Sequence, residues 1–132
     1  MSLTDTAQLG HPTFPVENEW TAYEQDPYGT SPNQPGAKLD AGKVPAAQLL
    51  GQFPLALSAV LQVGAFGAKK YSMGGWQHVP NGFTRYQDAQ FRHWLKRAMG
   101  EQCDPDSQML HLAHEAWNAL ASLELHLRGA RE

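Results

Sequence analysis

Sulfur chemistry is the first thing this chain lacks. Cys103 is its single cysteine, which excludes an internal disulfide framework and a thiolate-rich zinc site and fits a reducing compartment. Any metal it holds is therefore bound through nitrogen and oxygen. A basic balance is missing as well: the formal net charge is −3, so bulk charge does not draw the chain to nucleic acid, and a small or metal-bridged ligand is the better expectation. No positively charged start leads into an apolar stretch, so no secretory signal is expected and the expected location is cytosolic. An uninterrupted apolar run is also absent. The segment closest to one, "LLGQFPLALSAVLQVGAFGA" (residues 49–68), is broken by Gln52, Pro54, Ser58 and Gln62 and lacks aromatic anchors on both flanks, so burial in a bundle or subunit interface is expected rather than a membrane span. Neither an internal repeat nor a strand-like alternation is found.

What is present reads as helix. Residues 1–45 hold six of the nine prolines, in stretches such as "DPYGTSPNQPGAK", and predict an irregular or partly disordered arm. At 132 residues one domain is the simplest organisation: an arm over residues 1–37, then an all-α domain over 38–132, packed from near Pro45. Helical spacing of apolar residues runs from Ala46 to about Tyr71, with Pro54 either kinking that helix or starting a second. A second helix is expected from about Thr84, a plausible cap, to Met99, with Gly100 as its stop. A third, capped by Asp106 or Ser107, runs to about Arg128.

The third helix carries the most informative pattern. In "HLAHEAWNALASLELHL" (residues 111–127), at about 100° per residue, His111, His114, Glu115, Asn118 and Ser122 share an arc of about 100°. The remaining circumference is mostly Leu, Ala and Trp117, so the stripe is expected to face something polar inside the protein. An ordinary solvent-exposed face is the competing reading, although such faces are usually rich in Lys and Glu. Two histidines and a carboxylate three or four residues apart can converge on one cation, but the order is not the HExxH arrangement of a zinc hydrolase.

On the second helix, Arg85, Asp88, Arg92 and Lys96 group on one side, opposite Phe91, Trp94 and Ala98. That grouping suits a metal-bound polyphosphate, or equally a salt-bridged surface. Glu101, Asp104 and Asp106 precede the third helix and can complete an oxygen-rich Mg²⁺ or Mn²⁺ site, with Asp106 also a natural cap. "GAKLDAGK" offers Lys38 and Lys43 around glycine without the spacing of a P-loop. "FGAKKYSMGGW" places two lysines, Lys69 among them, beside Tyr71 and Trp76, supplying phosphate charge and an aromatic face for a base, or a packed structural loop.

Taken together, "GAKLDAGK", "FGAKKY" followed by "GGW", "RYQDAQFRHWLKRAMGE" and "HLAHEAWNALASLEL" resemble the phage-associated dATP/dGTP diphosphohydrolases, which are related to the MazG-like all-α nucleotide pyrophosphohydrolases. The likeness covers about residues 36–127. It implies a MazG-like helical bundle, and because three helices with a long apolar first one leave much surface to cover, completion by oligomerisation, as a dimer or tetramer, is expected. It further implies Mg²⁺- or Mn²⁺-dependent hydrolysis of a purine deoxynucleoside triphosphate, dGTP favoured and dATP possible, to the monophosphate and pyrophosphate. No nucleic acid and no membrane is expected as partner, and a phage-encoded enzyme would act in the host cytoplasm. Asp88, Glu101, His111, His114, Glu115 and Asn118 become the candidate metal ligands, with Glu115 and Asp88 catalytic. Lys38, Lys43, Lys69, Arg85 and Arg92 would meet phosphates, and Tyr71 or Trp76 the base. MazG-like enzymes use an ExxE and an ExxD pair. Here Glu115 and Asn118 stand where ExxD would fall, and the second helix has no ExxE. The competing class is a non-catalytic nucleotide-binding or helical interaction protein of a phage.

Overall fold

The computed structural model describes residues 24–129. The expectation for residues 1–23 lies outside the described residues. Contacts divide the chain into two units, one up to Gln52 and one from Phe53. The described part of the first is irregular until a short helix, α1 (Ala46–Leu50). Its loop is organised by Asp26, whose carboxylate accepts hydrogen bonds from the backbone N–H of Tyr28 at 2.7 Å and of Lys38 at 2.8 Å. Local carboxylate turns of this kind substitute for regular structure in a proline-rich segment.

The second unit holds α2 (Pro54–Lys70), a 3₁₀ turn (Gly75–His78), α3 (Gly82–Ala98) and α4 (His111–Leu127). Pro54 begins a new helix at its first turn, where its missing N–H costs nothing; it does not kink a continuous one. α3 starts at Gly82, two residues before Thr84, behind Asn81 in the left-handed region (φ 55°). Gly100 follows with φ 100°, a conformation that favours glycine, and the helix stops there. α4 begins at His111, later than a cap at Asp106 or Ser107 would place it. The intervening residues instead form a tight loop closed by Asp104 N–H to Met109 O at 2.8 Å and His111 N–H to Gln102 O at 2.9 Å. Among the described residues there is no strand, only an isolated bridge between Cys103 and Leu110, and the class is all-α. No helix among them is long and apolar enough to cross a membrane.

α4 is central, packed against both α2 and α3. Two glycines permit the approach: a Cβ on Gly64 would sit 2.5 Å from the Trp117 ring, and one on Gly82 would sit 2.9 Å from Leu125. The packing is inverted relative to the usual amphipathic arrangement. His111, His114, Glu115, Asn118 and Ser122 are buried, while Leu112, Leu120, Leu123 and Leu127 are about half exposed. α3 does the same. Phe91, Trp94, Leu95 and Met99 face solvent, and the side carrying Tyr86, Ala89 and His93 is the less exposed one. The buried apolar side chains among the described residues are only Val63, Ala113, Ala121 and Leu125.

Candidate functional site

The buried stripe of α4 meets His93 from α3 and the loop 101–110. His111, with no exposed surface, is 2.8 Å from Glu101 Oε1 through Nε2 and 2.8 Å from His93 Nδ1 through Nδ1. A carboxylate only accepts, so His111 donates to Glu101 through Nε2 and turns its Nδ1 to His93. The His93 ring stacks on His114, centroids 4.4 Å apart and planes 8° apart. His114 Nε2 reaches Ser107 Oγ at 2.7 Å and lies 3.8 Å from Asp104 Oδ2. Asp104 also accepts the Ser107 N–H at 3.1 Å.

Burial first, then the neighbouring His114 and His111, pushes His93 down to about 4. Burial lowers His114 as well, against the opposing pull of Asp104. Both imidazoles are thus neutral near pH 7, the form that donates a lone pair to a metal. Burial works to raise Asp104, but hydrogen bonds from Ser107 and the nearby histidines outweigh it and hold the carboxyl below its ordinary range. Donor atoms of His93, Asp104 and His111 all lie within 4.8 Å of one another. Two imidazoles and a carboxylate form a donor set for a borderline divalent metal, better matched to Mn²⁺ than to Mg²⁺. The Glu101 carboxylate behind His111 is the usual outer partner of a metal-binding histidine.

A cavity of about 330 Å³ opens beside this cluster, lined by His93, Asp104, His114 and Asn118, by Val63, Phe66 and Trp117, and by Lys70, Tyr71 and Asp106 nearer its exposed side. With the histidines neutral, its lining carries two carboxylates against one ammonium.

Of the residues expected from the sequence, the structure brings Glu101, His111 and His114 together and places Asn118 and Tyr71 on the cavity. The buried stripe overturns the reading of it as a solvent-exposed face. Others stand elsewhere. Both Glu115 oxygens are held by Arg97, at 2.7 Å and 3.0 Å. Asp88 and Arg92 are exposed on α3, away from the cavity lining. Arg85 donates to Pro80 O at 3.2 Å. Lys69 is exposed, and it is Lys70 that lines the cavity. Trp76 is packed between Trp117, Tyr86 and Arg128 rather than presented to a ligand. Lys38 and Lys43 belong to the first unit, where Lys43 lies 3.8 Å from Glu24.

Sequence reasoning missed His93, Ser107 and Trp117 as parts of the site. The helix wheel of α3 set Arg85, Asp88, Arg92 and Lys96 opposite Phe91, Trp94 and Ala98 and gave His93 no part in either group. A usable signal was its complement: Tyr86, Ala89, His93 and Arg97 also recur at helical spacing.

A family model described as "dATP/dGTP diphosphohydrolase, N-terminal" matches residues 33–132. No curated protein and no solved structure matches the chain.

Proposed function

The chain belongs to the dATP/dGTP diphosphohydrolase family, hydrolases of nucleoside triphosphates, and we propose that it converts a purine deoxynucleoside triphosphate, dGTP by preference, to the monophosphate and pyrophosphate with Mn²⁺ or Mg²⁺ held by His93, Asp104 and His111. The observation that carries this reading is the convergence of those three donors, two of which, His93 and Asp104, line a cavity. The metal dependence has an electrostatic argument of its own: Asp104 and Asp106 outnumber Lys70 on the cavity lining, so a polyphosphate is repelled until a cation enters. The preference for dGTP rests on the likeness of the whole pattern to the MazZ protein of a cyanophage that replaces adenine by 2-aminoadenine.

Each residue has a definable task. Glu101 holds the His111 ring with its Nδ1 turned toward His93. Ser107 fixes both His114 and Asp104. A bound divalent ion would lower the pKa of water and neutralise phosphate oxygens. Water attacks the α-phosphorus, and pyrophosphate leaves. Glu115, paired with Arg97, tethers α4 to α3.

The protein is further read as a homo-oligomer, a dimer or tetramer, in which a second copy covers the outward leucines of α4 and the aromatic face of α3. Large apolar side chains left about half exposed along two helices support this reading.

The decisive assay offers dGTP, dATP, GTP and dCTP with Mn²⁺ and separates mono- from diphosphate products. The reading expects dGMP and pyrophosphate from dGTP, with Asp104→Asn and His111→Gln each losing turnover at least 100-fold (order of magnitude). No turnover of any of the four would sink it and favour the non-catalytic nucleotide-binding alternative, and full activity in EDTA would refute the metal dependence.

A further inference from the structure

We propose that Lys70 and Asp106, backed by the amide oxygen of Asn118, read the Watson–Crick edge of the purine and select guanine over adenine. This rests on the reading of the cavity as a nucleotide site and adds which groups recognise the base. At about 330 Å³ the cavity is at the small end for ligand sites and takes one part of a nucleotide rather than the whole. Val63, Phe66 and Trp117 give it an apolar, aromatic wall suited to a base, and His93 and Asp104 on the same lining keep the reacting end within reach.

The polar groups are arranged as a donor beside acceptors. Lys70 Nζ lies 2.6 Å from Asp106 Oδ2, and over the rings of Phe66 and Tyr71 at 5.8 Å and 5.5 Å from their centroids. The two side chains are 44% and 59% exposed. An ion pair that open to water contributes little to stability, so it can separate to admit a ligand edge at small cost. Asn118 is 6% exposed and its Nδ2 donates to His114 O at 2.7 Å. A backbone carbonyl cannot donate, so the amide is fixed with nitrogen toward the helix, and its oxygen remains an acceptor for the cavity that Asn118 lines.

Guanine matches this order. Its O6 accepts from an ammonium, and its N1–H and N2–H₂ donate to a carboxylate and an amide oxygen. Adenine reverses the first two, presenting an N6–H₂ donor and an N1 acceptor, and offers no third donor. It would therefore set a donor against Lys70 and an acceptor against Asp106. Hypoxanthine keeps O6 and N1–H but lacks the 2-amino group.

The test measures equilibrium binding of dGMP, dIMP and dAMP to the full chain with Mn²⁺, together with kcat and KM for dGTP and dATP. The wild type should bind dGMP roughly tenfold or more tighter than dAMP, with dIMP between them. Lys70→Met and Asp106→Asn, both at exposed positions, should bring the dGTP-to-dATP ratio of kcat/KM to within roughly threefold of one, mainly through KM. Asn118→Ala should erase the dGMP-over-dIMP difference, and Asn118→Asp, which keeps the acceptor, should retain it. Equal binding of dGMP and dAMP by the wild type, or parallel losses for both bases in Lys70→Met and Asp106→Asn, overturns the proposal. Turnover of dNTPs can survive that outcome, whereas a protein that binds dGMP selectively and hydrolyses nothing refutes the catalytic reading alone.

Discussion

His93 and His111 face one another Nδ1 to Nδ1 at 2.8 Å, from two different helices, with Asp104 completing the group from the loop between them. With His111 Nε2 turned to Glu101, the two facing Nδ1 atoms share one proton between them. A divalent ion that replaces it would take both Nδ1 lone pairs. Glu101→Gln should therefore weaken Mn²⁺ binding about 10- to 100-fold while leaving the fold intact, read by titration calorimetry. Unchanged affinity would count against His111 as a ligand.

The same burial sets a pH dependence. His93 is pushed down to about 4 from 6.5, and His114 is lowered too. The folded state favours the neutral rings, so their contribution is complete above pH 6.5 and is lost as the pH falls from 6.5 towards 4, where the unfolded chain takes up protons first. Thermal melts in EDTA should show Tm dropping across that window, with His93→Gln flattening the drop. A wild-type Tm that does not change there refutes the assignment.

Arg97 and Glu115 form a two-point ion pair, with Glu115 nearly buried and Arg97 40% exposed. Glu115→Gln should lower unfolding free energy by about 1–2 kcal/mol, the worth of charge-assisted hydrogen bonds reduced for solvent on the arginine side. Urea denaturation measures this, and the Mn²⁺ affinity of the variant should match wild type. A large loss of Mn²⁺ affinity with unchanged stability would instead return Glu115 to the metal site.

Gly64 lies so close to Trp117 that a Cβ would come within 2.5 Å of the ring. Gly64→Ala should destabilise by about 1–3 kcal/mol through overpacking, exceeding the gain from better helix propensity. Because Trp117 lines the cavity, its fluorescence should shift as well. A variant as stable as wild type would show that α2 and α4 separate more easily than their packing suggests.

The outward face of α4 spaces Ala116, Leu120, Leu123 and Leu127 at intervals of four, three and four residues, and each of the three leucines is about half exposed. This is the spacing of a helix–helix seam. Leu120→Glu combined with Leu123→Glu should reduce the mass seen by light scattering to that of one chain. A wild type already monomeric at micromolar concentration overturns the expectation of an oligomer.

The sequence by itself determined the helical class, the grouping of His111, His114, Glu115, Asn118 and Ser122 on one stripe, and the family resemblance. These depend on a residue's neighbours along the chain: a 3.6-residue period assigns side chains to faces, and proline and glycine mark where helices begin and end. The sequence also turned that stripe towards the interior, as its burial bears out; only the tertiary structure decided which face of α3 meets it. Periodicity cannot show that α3 meets it through His93 and Arg97 while Phe91 and Trp94 turn outward, because burial depends on what the other helix presents. The same limit explains His93, Asp104 and Lys70. They come from a helix, a loop and another helix, 34 residues apart at the extremes, and become neighbours only through the close contacts of Gly64 with Trp117 and of Gly82 with Leu125. Glu115 shows the converse. Its place on the stripe was legible, but its chemistry was settled by Arg97, whose two hydrogen bonds occupy both carboxylate oxygens.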